Sequence, residues 1–212
     1  MPRLTRVQRQ EQTRAELLDA AKARFLKHGY ASTSLEDIAD DAGYSKGAVY
    51  SNFGSKPILC REVLEAIHRE KFSEMSELAM SDADVPSRVE AVNAWIERTA
   101  GDVGWTMLEL EFVVLSRNDP ELGQMITDLR NEAAQMVAEV LRSLSNDLGL
   151  SEEQLVAVGV IDSLDDIGSL FLSAGIGLGI QRAIDPSLPA RPVTGAITRL
   201  MNLLALLAAT QD

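Results

Sequence analysis

The chain has 212 residues, 46% of them hydrophobic and 25% charged, with a formal net charge of −12, enough for a real core in one large domain or two smaller ones. A single cysteine, Cys60, excludes an internal disulfide framework and fits a reducing cytoplasm. The opening MPRLTRVQRQEQTR lacks the apolar stretch of a signal peptide, and the longest nearly apolar run, Ile167–Ile180, is 14 residues, too short for a membrane span.

From Thr13 to Lys27 the pattern is helical, with Leu17, Leu18, Ala21 and Phe25 on one stripe and His28-Gly29 as the stop. Thr33-x-x-Glu36 reads as a capping box for a second helix whose apolar positions are Leu35, Ile38, Ala39 and Ala42, ended by Gly43. Ser45 caps a short third helix carrying Ala48 and Val49, which stops near Phe53-Gly54. Ser55 caps a fourth, with Pro57 tolerated in its first turn, running on through Leu59, Val63 and Ile67.

Two short helices about a glycine turn form a helix-turn-helix pattern. Ala39 falls where the helices approach most closely, Gly43 can take the positive φ of the turn, and Val49 plugs the angle. The stretch GYSKGAVYSNFGSK holds three of the chain's ten aromatics, with small residues in most of the gaps and a lysine near each end. A helix entering the major groove must be slim at its leading end, and Ser45, Gly47 and Ala48 make it so. Lys46 can reach a guanine edge or a phosphate. Tyr50 can offer its hydroxyl to a phosphate, and Asn52 can bond a phosphate or a base edge. Phe53 reads as core. Lys56 stands at a helix N-terminus, where anions are favoured.

These residues carry a family resemblance. TSLEDIADDAGYSKGAVYSNFGSKPIL closely resembles the DNA-binding signature of TetR-type transcriptional regulators, over about residues 13–71. The resemblance implies an all-α homodimer in which an N-terminal helix-turn-helix domain binds double-stranded DNA. A larger helical C-terminal domain would take a small effector and dimerise. It places base reading on Lys46 and Gly47, with Ala48 nearby, and phosphate contacts on Thr33, Ser34, Tyr44, Tyr50, Asn52 and Lys56. Asn52 stands where the family commonly has histidine, and Gly54 where it usually has a charged or polar residue. The expected division is 1–56 for DNA, 57–71 as a linking helix and 72–212 as the effector and dimerisation domain.

Charge divides at the same place. Residues 1–71 carry 12 Lys+Arg against 10 Asp+Glu, whereas 72–212 carry 8 against 22. All five lysines and both histidines lie in the first part. Phosphate binding is decided by local charge, so the acidic total does not exclude DNA. The absence of His, Cys and Lys from 72–212 removes the usual general base, nucleophiles and zinc ligands. The expectation is a regulator rather than an enzyme, with no cofactor and no metal.

The body reads as helices throughout: Pro86–Ala100, Trp105–Ser116, a long helix opened by Asp119-Pro120 and ended at Gly149, and one capped by Ser151-x-x-Gln154 that runs to about Ala183. Asp185–Pro192 is a loop. The last helix, TGAITRLMNLLALLAA, is apolar on nearly every face of its second half, which suits a dimer interface. Gly175, Gly177 and Gly179 do not have the spacing of a nucleotide loop and read as close helix contacts. Glu109 and Glu111 stand out in the apolar WTMLELEFVVLS; they either sit on solvated faces or line a cavity. The candidate cavity residues are Trp95, Trp105, Met107, Glu109, Glu111, Phe112, Met125 and Phe171. With no Lys or His in the body, the expected effector is mainly apolar and neutral or cationic.

Overall fold

The structure, a computed structural model, describes residues 5–100, 102–157, 159 and 161–209. Among these the chain is all helix: α1 (Arg6–His28), α2 (Leu35–Ala42), α3 (Lys46–Phe53), α4 (Lys56–Ala79), α5 (Val85–Thr99), α6 (Val103–Ser116), α7 (Pro120–Asp147), α8 (Glu152–Ala157), α9 (Leu164–Ile184) and α10 (Arg191–Ala208).

Local chemistry sets most of the boundaries. Thr5 caps α1 in a reciprocal box with Gln8, so this helix begins well before the apolar stripe that announces it. The box on α2 is Ser34 with Asp37, not Thr33 with Glu36. Thr33 is instead buried, and its hydroxyl donates to the Gly29 carbonyl at 2.8 Å. Gly43 takes the left-handed conformation with φ 73° and closes α2. Asp84, Asp102, Asp119 and Ser163 cap α5, α6, α7 and α9.

The helix expected from Ser151 to about Ala183 is two helices. Ser151 and Gln154 do form their box, but α8 ends at Ala157. Glu152 then accepts the Leu164 N–H at 2.8 Å, so the first turn of α8 seals the start of α9. α9 is longer than the apolar run that marks it. By length and composition alone this 21-residue helix, with a mean hydropathy of 1.4 over an 18-residue window, could cross a membrane. Here it packs along α7 and α6.

Two apolar clusters stabilise the molecule. The first gathers Leu17, Phe25, Ile38, Val49, Phe53 and Leu59 of the head, and takes in Leu108, Phe112 and Leu129 from α6 and α7. The second joins Phe72 and Met75 of α4 to α5, α7, α9 and α10. α4 therefore contributes to both cores, and it passes the charge boundary at Lys71 without a break.

Candidate nucleic-acid interface and an internal cavity

The helix-turn-helix is locked from below. Ile38 and Val49 are fully buried and Ala39 nearly so. Arg14 of α1 fixes the seat of α3: its Nη1 donates to the Asn52 carbonyl at 2.5 Å, its Nη2 pairs with Glu62, and its guanidinium lies 4.4 Å from the centre of the Phe53 ring. Arg24 bonds Asp41 through Nε at 2.5 Å and holds α2 to α1. Neither arginine was legible as a site residue, because each joins positions far apart in sequence.

Ser45, Lys46, Gly47 and Tyr50 are exposed along α3, and Ala48 is half-buried. Ser45 accepts the Ala48 N–H and so caps the helix. Lys46 is not free: it pairs with Glu36 on the first turn of α2 and lies 5.7 Å from the Tyr50 ring. This pairing raises the lysine pKa and lowers that of the glutamate. The Tyr44 hydroxyl donates to Glu16 at 2.5 Å, and Asn52 donates to the Ala48 carbonyl at 2.8 Å. Lys56 is half-buried over the face of Tyr30, 4.1 Å from the ring centre, and burial pushes its pKa down. Ser34 is half-buried as the cap of α2. Buried Thr33 presents nothing to the outer face.

Beneath the head, α4–α7, α9 and α10 enclose a cavity of about 290 Å³. Trp95, Trp105, Glu109 and Phe171 line it. The other four candidates do not. Met107 is 41% exposed. Phe112 is fully buried in the head core, edge-on to Tyr30. Met125 borders a separate open groove between α4 and α7. Glu111 turns to the head, where its Oε2 accepts the Ala31 N–H at 2.8 Å.

His68, assigned by sequence to the head, also lines the cavity, because α4 carries it there. Its Nε2 bonds Glu109 Oε1, to which the Trp105 indole N–H also donates at 2.9 Å. The side-chain atom His68 Nδ1 is buried and has no hydrogen-bond partner among the described residues. The expectation that the pocket would hold no histidine fails for this reason. The described residues contain no group of three or more His, Cys, Asp or Glu side chains arranged to hold a metal ion.

Residues 17–63 match the family model for bacterial regulatory proteins of the tetR family. Over 68 residues the chain is 43% identical to the HTH-type transcriptional regulator TtgR of Pseudomonas putida, covering 32% of each protein. It is 35% identical over 79 residues to the HTH-type transcriptional repressor KstR2 of Rhodococcus jostii, covering 37% of this chain and 39% of that one. The chain thus matches little more than a third of the length of these curated relatives. The fold extends further. A solved structure of a putative transcriptional regulator from a Rhodococcus species superposes with a TM-score of 0.71 at 22% identity, over 91% of this chain and 95% of that one. Over residues 17–63 the chain is similar to the TetR family of bacterial regulatory proteins.

Proposed function

We propose that the chain is a ligand-responsive transcriptional regulator, a repressor that acts as a homodimer in the cytoplasm. Two heads would read an inverted-repeat operator, and a small molecule in the cavity would control them. Residues 1–56 hold the DNA, 57–71 link, and 72–212 bind the effector and dimerise. The effector is mainly apolar and neutral or cationic. The chain is not an enzyme.

The observation that carries this reading is the course of α4. One unbroken helix has Lys56 at its head end and His68, Phe72 and Met75 in the cavity wall. A ligand that favours one position of α4 shifts operator affinity by its differential affinity for the two states. Dimerisation through the last two helices is supported by the apolar side chains they leave exposed: Leu170, Ile176 and Ile184 on α9, Leu203 and Leu206 on α10.

The test is DNA binding by anisotropy against salt and against candidate effectors. A steep salt dependence, two chains per shortest high-affinity site and heads about 34–36 Å apart are expected. One chain per site would overturn the dimer; weak salt dependence would overturn the DNA-binding role. Lys46→Ala should relax sequence preference by about 1–3 kcal/mol, whereas Tyr50→Phe should weaken all sequences alike.

A further inference from the structure

The cavity wall is mainly apolar; its polar side chains are His68, Thr99, Thr106, Glu109 and Arg130. Among the described residues Glu109 is its only acid; the Trp105 indole N–H donates to its Oε1, and His68 Nε2 is hydrogen-bonded to the same oxygen. Thr99 turns its hydroxyl back onto the Trp95 carbonyl at 2.8 Å. Arg130 is exposed to solvent. Buried polar atoms in folded proteins are nearly always paired, so the orphaned Nδ1 of His68 calls for an explanation. In the tautomer with Nε2–H donating to Glu109, a neutral ring has Nδ1 as an acceptor.

A second observation concerns α9. Gly175 of α9 lines the cavity, and a Cβ built on it would meet nothing within 4 Å. It is therefore not a helix-contact glycine. Gly168, one stretch earlier on α9, is: its Cβ would come within 2.7 Å of the Ala134 carbonyl oxygen. Glycine inside a helix is less favourable than alanine, so Gly175 gives up helix stability and leaves space in the cavity.

Resting on the regulatory reading above, we propose that the effector is an uncharged apolar molecule with one hydrogen-bond-donating hydroxyl. The hydroxyl pairs with His68 Nδ1, and the apolar body lies over Gly175. A cation is disfavoured because Glu109 is already engaged in two hydrogen bonds, and an anion because its charge would adjoin that carboxylate.

The experiment measures binding calorimetrically, without DNA, for four matched probes: para-pentylphenol, its methyl ether para-pentylanisole, para-pentylbenzoate and para-pentylbenzylammonium. The phenol should bind about tenfold more tightly than the ether, the worth of one hydrogen bond, and more tightly than either ion. His68→Leu should erase the phenol–ether difference. Gly175→Leu should weaken phenol and ether together, and Gly175→Ala should raise the melting temperature while weakening both less. Equal affinity of phenol and ether in the unaltered protein, preference for either ion, or no binding by any probe overturns the proposal, and these readings need no variant to fold. A phenol that binds as expected and leaves DNA affinity unchanged overturns the regulatory reading alone.

Discussion

Glu109 and Glu111 stand two residues apart on α6 and serve different parts of the molecule. Glu109 lines the cavity, bonded to His68 and Trp105, while Glu111 accepts the Ala31 N–H just beyond the end of α1. Gly104 on the same helix lies against the Leu26 carbonyl, so closely that a Cβ would come within 2.5 Å of its oxygen. α6 therefore touches both the cavity contents and the head, as α4 does.

Replacing Glu111 by alanine separates these roles. Ala31 loses its acceptor, and because this N–H is exposed and water can replace the carboxylate, the cost is about 0.5–1.5 kcal/mol. Ligand affinity measured without DNA should be unchanged, because Glu111 is outside the cavity. The change in DNA affinity on ligand binding should shrink. Melting curves and anisotropy titrations check the two halves.

The glycines of α9 should respond oppositely to alanine. At Gly168 the new methyl would collide with Ala134 and Ala138 backbone atoms at 2.7 and 2.9 Å, and overpacking of this kind costs about 1–3 kcal/mol. At Gly175 the methyl enters open space, and the helix gains up to about 1 kcal/mol. Urea denaturation midpoints of the two variants should fall on either side of the parent.

Glu36 restrains Lys46 before DNA arrives. Both side chains are about half exposed, so the pair contributes little to folding. Glu36→Gln should leave stability nearly unchanged and strengthen binding to all DNA sequences. If Lys46 then contacts a phosphate, the slope of log affinity against log salt should steepen by about one. An unchanged slope would assign Lys46 to a base edge.

Cys60 is fully buried, and desolvation pushes its pKa up to about 12. The thiolate is the reactive form, so the native protein should not react with a disulfide reagent near pH 8. Reaction should appear only as denaturant unfolds the head. Prompt stoichiometric labelling of the folded protein would contradict the packing described around α4.

The head was legible because its determinants are local: caps, a left-handed glycine and the apolar spacing of two short helices. Even there the box on α2 slipped by one residue. Thr33 with Glu36 and Ser34 with Asp37 both fit the pattern, and the choice turns on the Thr33 hydroxyl bonding back to Gly29. The cavity was half legible. Trp95, Trp105, Glu109 and Phe171 line it, but bulk alone could not tell cavity from core, and Phe112 went to the head. His68 was invisible to any reading that divides the chain at Lys71, since a continuous helix ignores that division. The glycines of α9 look alike in sequence, and only the neighbouring backbone distinguishes Gly168 from Gly175.

The unbroken run of α4 also sets a gear ratio. From Lys56 to His68 the axis covers about 18 Å at helical rise. A tilt of about five degrees pivoting at His68 carries Lys56 sideways by about 1.5 Å. In the two-fold pair proposed above the displacements would oppose, changing head separation by about 3 Å against the roughly 34–36 Å of one DNA turn. Under that proposal a ligand would need only to nudge the cavity wall to spoil the match, provided the rod between is stiff. Stiffness of the stretch between Lys56 and His68 is thus itself a working part, and a helix-softening glycine in place of half-buried Glu65 should uncouple the ends without touching either.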